Sequence, residues 1–221
     1  VKREALLDLA IVIVGFMLIL VGGDLIGLPV PGVLAIIGGL LLAWWRLRAR
    51  SESWSSIGLR RPASFPRLIL AVVVLYAISV AGVVGIVYPV SDAMGWQSLE
   101  LSRFDDVRGN PLALARILLI AWTTAAFGEE MLFRGFVLTR LEKALGRGTV
   151  LLTLAIVIQA VLFGLGHAYL GARGVLTAVW IGLVYGTWYV LRDRNLWPLI
   201  LTHGLTDTIS MLAIYSGAVP E

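Results

Sequence analysis

The sequence predicts an all-α, polytopic transmembrane bundle of about seven spans. Three observations predict it. Of the 221 residues, 59% are apolar, and the mean hydropathy is +0.90. Only 14% are charged, against roughly 25% in soluble domains. The apolar residues also fall in runs close to the ~20 residues a helix needs to cross ~30 Å of hydrocarbon, and most Arg and Lys lie in the gaps between those runs.

The first run, roughly 5–22, begins at Ala5 after Val1-Lys2-Arg3-Glu4. With no small-x-small cleavage site behind it, it reads as a membrane helix and not as a signal peptide. The second, roughly 30–45, is introduced by Pro29 and Pro31 and closed by Trp44-Trp45-Arg46. The third covers roughly 67–90. The fourth follows the Gly109-Asn110-Pro111 turn and runs to about 138. The fifth, sixth and seventh cover roughly 150–170, 174–191 and 195–215. There is no internal repeat and no low-complexity tract. The length suits one integrated membrane domain, made of an N-terminal three-span region (1–110) with a basic loop and a four-span core (111–215).

Basic residues set the orientation. One side of the bundle holds Lys2, Arg3, Arg46, Arg48, Arg50, Arg60, Arg61, Arg67, Arg140, Lys143, Arg147, Arg192 and Arg194. The other holds Arg103, Arg108 and Arg173, while Arg116 and Arg134 lie within a span. The positive-inside rule then places the N-terminus in the cytoplasm and the C-terminus outside. Trp54, in the basic 46–67 loop, is placed to anchor at the headgroups. The 91–110 loop is acidic on balance.

Composition also excludes several functions. With 0 cysteines, thiolate catalysis, disulfides and Cys-based zinc sites are absent from this sequence. The pI near 9.8 does not point to nucleic acid, because the cations sit where topology determinants belong. The expected partners are the lipid bilayer and a membrane-associated peptide or protein.

The informative residues are the ionisable ones inside spans, since a charge at mid-bilayer costs about 2.5–3.5 kcal/mol on insertion scales and is usually functional or paired. Glu129, Glu130 and Arg134 lie in the fourth span. Glu130 and Arg134 are spaced i,i+4 and can pair on one helix face. Glu129 points about 100° away at helical periodicity and keeps a spare carboxylate. His167 follows Phe163 in the fifth span, and His203 and Asp207 form another i,i+4 pair in the seventh. These are the 2 histidines of the chain. Glu129 and His167 are equidistant in sequence from Gly148, in the turn between spans four and five, so a hairpin folded there sets them at one height. Matching that height to His203 requires the hairpin end to reach past the interface or to tilt.

A carboxylate with one or two imidazoles is general-base equipment: it takes a proton from water, and an imidazole or carboxylic acid supports the oxyanion or the leaving amine. Two histidines and a carboxylate also form a common zinc shell, so Glu129, His167, His203 and Asp207 are candidate ligands for a divalent metal such as zinc. There is no His-Glu-x-x-His helix, no Gly-x-Ser-x-Gly elbow and no pair of intramembrane aspartates.

The order Glu129-Glu130…Arg134, then Phe163…His167, then His203…Asp207, on successive membrane helices, resembles the CAAX prenyl protease type II and bacteriocin-processing family (CPBP, or Abi). The resemblance covers residues 111–215. It implies an intramembrane endopeptidase in which Glu129 and His167 activate the water. It further implies that His203 and the residue four later line an oxyanion hole, and that Glu130 and Arg134 stabilise the site. Asp207 stands where the characterised eukaryotic members have Asn. An ionised Asp cannot donate to an oxyanion, so Asp207 is expected to be protonated, to orient His203 or to ligate a metal. The rival readings are a proton- or cation-coupled transporter, which also uses intramembrane Glu, His and Asp, and a non-catalytic membrane scaffold or immunity protein.

Overall fold

Seven long helical segments, α1–α7, follow one another along the chain. They are read from a computed structural model that describes residues 1–28 and 30–218. Helix α1 covers Lys2–Leu25 and α2 Pro31–Ala49, whose first residue is the proline that favours a helix start. Pro29, the other proline expected to introduce this span, lies outside the described residues. Helix α3 covers Phe65–Ala93, α4 Pro111–Leu145, α5 Thr149–Leu165, α6 Gly171–Leu191 and α7 Trp197–Tyr215. Among the described residues there is no strand, so the all-α bundle of the sequence reading is the architecture found.

Five segments are long and apolar enough to cross a membrane: Lys2–Leu25, Pro31–Ala49, Phe65–Ala93, Pro111–Leu145 and Ala168–Leu191. Helix α5 is apolar but has 17 residues. In α7 the apolar run is interrupted by Thr202, His203, Thr206, Asp207 and Thr208. Their polarity is the signature of a helix that carries a site.

Two boundaries differ from the sequence reading. The fourth helix does not stop near residue 138 but continues through Thr139–Leu145. The fifth stops at Leu165, and Ala168–Leu170 forms a separate 3₁₀ turn before α6. The apolar residues around that turn masked the break.

Helix α4 is built from three backbone geometries. Asn110 caps its start, its Oδ1 accepting from the N–H groups of Leu112 and Ala113 at 3.2 Å each. Pro111–Ile120 is α-helical, Ala121–Leu138 is a π-helix and Thr139–Leu145 is α-helical again. Threonine hydroxyls mark both ends of the wide segment. Thr123 and Thr124 donate to the carbonyls of Leu119 and Ile120 at 2.6 and 2.8 Å, and Thr139 donates to those of Gly135 and Phe136 at 2.7 and 2.9 Å. Such bonds compete for backbone carbonyls and distort helices. Glu129, Glu130 and Arg134 all sit in the wide segment, and π-turns concentrate at functional sites.

Helices α5 and α6 pack through small residues, as membrane helices do where lipid supplies no hydrophobic drive between them. A Cβ at Gly182 would lie 2.7 Å from the Ala160 Cα, so only glycine permits this approach. Polar contacts close the end of the bundle that carries most of the basic residues. Asp8, buried on α1, meets Arg46 at 2.8 Å and Arg140 at 3.0 Å, and Glu52 meets Arg140 at 3.0 Å and Lys143 at 2.7 Å. Arg194 pairs with Glu142 at 2.7 Å. The loop at Gly58 lies against α7: its carbonyl accepts from Leu196 N–H at 3.0 Å. At Gly58, φ is +105° and a Cβ would meet the Arg194 carbonyl at 2.4 Å. Tyr189 donates to the Ile57 carbonyl at 2.8 Å. The polar end of the α4–α5 hairpin thus joins the ionic layer.

Candidate active site

The π-helical part of α4 presents Glu130 and Arg134 to the interior, where neither is exposed to solvent. Arg134 Nη1 donates to Glu130 Oε1 at 2.8 Å. The i,i+4 pair expected from spacing is therefore formed. Glu130 does more than pair with arginine. The same Oε1 lies 2.9 Å from Nδ1 of His203 on α7. A carboxylate that already accepts from Arg134 can only accept here too, so Nδ1 of His203 carries the hydrogen. Its Nε2 faces Asp207 Oδ2 at 3.6 Å, one helical turn on.

Helix α5 delivers Phe163 into this cluster. Its ring lies 4.1 Å from the guanidinium carbon of Arg134, 5.3 Å from the Phe133 ring and 6.3 Å from His203. Phe133 and Phe163 are equidistant from Gly148 in sequence and meet across the α4–α5 hairpin. His167 is not in the helix, as expected from sequence, but in the turn after it. There its ring lies 4.6 Å from that of Phe163 and its Nδ1 is 2.9 Å from the Phe163 carbonyl. A carbonyl accepts, so Nδ1 holds the hydrogen and Nε2 keeps its lone pair. His167 is half-buried and within electrostatic range of His203 and Asp207.

Glu129 makes no hydrogen bond to a described residue through its buried Oε2, and it lies within electrostatic range of His203 and Asp207. Glu130 Oε2 and Arg134 Nε and Nη2 are likewise buried without hydrogen-bond partners among the described residues. Buried polar atoms are normally satisfied, so this concentration of unpartnered donors and acceptors marks the polar centre of the bundle.

Among the described residues no group of three or more His, Asp or Glu is placed to hold a metal ion. The Nδ1 atoms of both histidines are committed, to Glu130 and to the Phe163 carbonyl.

Two tyrosines complete the site without having been singled out from sequence. Tyr185 on α6 is buried, with its ring 5.3 Å from the Arg134 guanidinium and 6.4 Å from His203. Arg134 therefore contacts an aromatic ring on α5 and another on α6. Tyr169, in the turn beside His167, has its ring stacked at 6.0 Å on the imidazole. The signal for Tyr185 was present: Tyr185 and Tyr189 repeat at helical spacing inside a span, away from the interfaces where tyrosine normally gathers.

Residues 111–209 match the family model described as Type II CAAX prenyl endopeptidase Rce1-like. Comparisons with curated proteins and with solved structures give no match. The matched segment holds Glu129, Glu130, Arg134, Phe163, His167, His203 and Asp207, together with Tyr169 and Tyr185. Residues 111–209 of this multi-pass membrane helical chain are thus similar to the Rce1-like type II CAAX prenyl endopeptidases.

Proposed function

We propose that the chain is an intramembrane endopeptidase acting on a peptide or protein presented at the membrane, with a water activated by Glu129. One observation carries the reading. Glu130 is tied through Oε1 to both Arg134 and His203, whereas neither oxygen of the adjacent Glu129 makes a hydrogen bond to a described residue. A structural carboxylate is tied down; a general base must be free to take a proton.

In this reading Glu129, with the lone pair of His167 Nε2, takes a proton from water as the water oxygen attacks the scissile carbonyl carbon. His203, as an imidazolium with Glu130 and Asp207 as counter-charges, donates from Nε2 to the oxyanion. The C–N bond then breaks, and the proton held by Glu129 passes to the leaving amine. One peptide bond and one water become a carboxylic acid and an amine. Asp207 orients His203 instead of donating itself, which suits an Asp at a position where an acceptor faces Nε2 across 3.6 Å. Glu130, Arg134, Phe163 and Tyr185 hold the imidazole in place. The steps use the chain's own residues and route nothing through a metal.

The test is quantitative membrane proteomics on cells expressing the wild-type chain or Glu129→Gln. New peptide termini that appear only with the wild type support a peptidase. Identical proteomes from two equally well folded proteins favour the scaffold or transporter readings.

A further inference from the structure

Gln159, on α5, takes no part in the site described above. It is 0% exposed, and neither its Oε1 nor its Nε2 makes a hydrogen bond to a described residue. Its neighbours on α4, α5 and α6 are apolar or glycine. A Cβ at Gly186 would meet Gln159 Oε1 at 2.9 Å, Ile156 Cγ2 at 3.2 Å and Leu138 Cδ2 at 3.8 Å, so glycine on α6 leaves room beside the amide. Buried polar atoms are normally bonded to protein or to ordered water.

The amide stands one layer away from Arg134. Phe163 follows Gln159 by one helical turn, and its ring lies 4.1 Å from the Arg134 guanidinium carbon. Tyr185 directly precedes Gly186, and its ring lies 5.3 Å from the same carbon. Four residues of α-helix rise about 6 Å. A direct hydrogen bond covers ~2.9 Å, and a link through one water roughly 5–6 Å. Arg134 reaches Glu130 through Nη1, while its Nε and Nη2 and Glu130 Oε2 are buried and unbonded among the described residues. With Gln159 Oε1 these make two donors and two acceptors, which match the two lone pairs and two hydrogens of one water.

We propose that Gln159, Arg134 and Glu130 hold one buried water where α4, α5 and α6 meet, and that Gln159 is thereby a positioning residue for the Arg134–Glu130 pair. The water accepts from Arg134 Nε and Nη2 and donates to Gln159 Oε1 and Glu130 Oε2. The guanidinium has no acceptor, so these roles run one way. The bridge turns the Nε–Nη2 edge of Arg134 toward α5 and α6. Nη1 is then left to meet Glu130 Oε1, the atom that also lies 2.9 Å from His203 Nδ1. Both lone pairs of this water are engaged, so it cannot attack a carbonyl. It is distinct from the water that Glu129 activates, and the inference stands apart from the peptidase reading.

Millisecond X-ray radiolysis of the purified chain in detergent tests the proposal, because radicals formed from water oxidise the side chains beside it. Leu138, unexposed and next to the Gln159 amide, is the probe. Leu132, buried on the same helix against Gly39 and Phe16, is the dry reference. In the wild type Leu138 should be oxidised faster than Leu132. In Gln159→Leu, which removes both polar atoms at similar volume, the Leu138 rate should fall to that of Leu132. It should fall equally in Glu130→Leu with Arg134→Leu, where the amide is intact but a water would keep one partner, short of the two to four that hold a buried water. Unfolding would raise Leu132 as well, so the comparison within each protein separates loss of the water from loss of the fold. Equal rates at the two leucines in the wild type, or a Leu138 rate that stays above Leu132 in Gln159→Leu, overturns the water site. A Leu138 rate that falls in Gln159→Leu but persists in the double variant overturns the link to Arg134 and Glu130.

Discussion

Replacing Glu130 by Gln removes the one anion that serves both Arg134 and His203. Arg134 and Glu130 are unexposed and 2.8 Å apart, so Glu130→Gln leaves a guanidinium without its counter-charge in a low-dielectric interior. Breaking such a buried pair costs ~3–5 kcal/mol. At ~2–4 °C per kcal/mol for a chain of this size, that is a fall of roughly 6–20 °C in melting temperature. Adding Arg134→Met removes the stranded charge and puts a thioether beside Phe163 and Tyr185, a favourable sulfur–aromatic setting. The double variant therefore recovers part of the loss. It does not recover all, because His203 Nδ1 still lacks a carboxylate. The assay is thermal unfolding of the purified proteins in one detergent, for wild type, both single variants and the double. A double variant no more stable than Glu130→Gln would refute the view that the pair's charge balance holds α4 in place.

Tyr185→Phe keeps the ring beside Arg134 and should leave melting temperature and cleavage close to wild type. Tyr185→Leu removes one aromatic contact of the guanidinium, about 1–2 kcal/mol for a desolvated cation–π pair, and should lower both; equal behaviour of the two variants would deny the ring its role. Glu52 lies outside the spans. Burial alone would raise its pKa, but hydrogen bonds and charges from Lys143 and Arg140 hold the carboxyl below its usual value. A depressed folded-state pKa gives stability that is full above the unfolded value, ~4.3, and is lost as pH falls through the folded one. Melting temperature should therefore drop more steeply below about pH 4.5 for wild type than for Glu52→Gln, and parallel curves would count against this. For topology, the chain has 0 native cysteines. Ser98→Cys should react with an impermeant maleimide on intact cells and Ala63→Cys only after permeabilisation, whereas the opposite pattern would invert the proposed orientation.

Much of this arrangement is legible in the sequence because it depends on spacing along one chain. Apolar run lengths predict the helices, and i,i+4 spacing predicts the Glu130–Arg134 pair. What depends on neighbouring helices is not legible. The π-helix at Ala121–Leu138 arises where threonine back-bonds and packing outweigh α-helical propensity. Glu130 takes on His203 because of how α4 and α7 are rotated against each other, which no spacing encodes. His167 looks helical because Leu165 and Ala168–Leu170 prolong the apolar run, yet the chain turns at Gly166. Arg103 and Tyr169 lie far apart in sequence and meet only because the segment before α4 is tied to the turn before α6.

The central claim is that Glu129 does the chemistry while its neighbour Glu130 holds the site together. The measurement is kcat for a peptide bond found by the proteomic comparison, with melting temperature read on the same preparations, for wild type, Glu129→Gln and Glu130→Gln. General-base catalysis contributes ~10²–10⁴-fold. Glu129→Gln should lose at least that much in kcat while melting within a few degrees of wild type, using about 2–4 °C per kcal/mol as the scale. Near wild-type turnover by Glu129→Gln, or a melting temperature that falls with that of Glu130→Gln, would contradict the assignment.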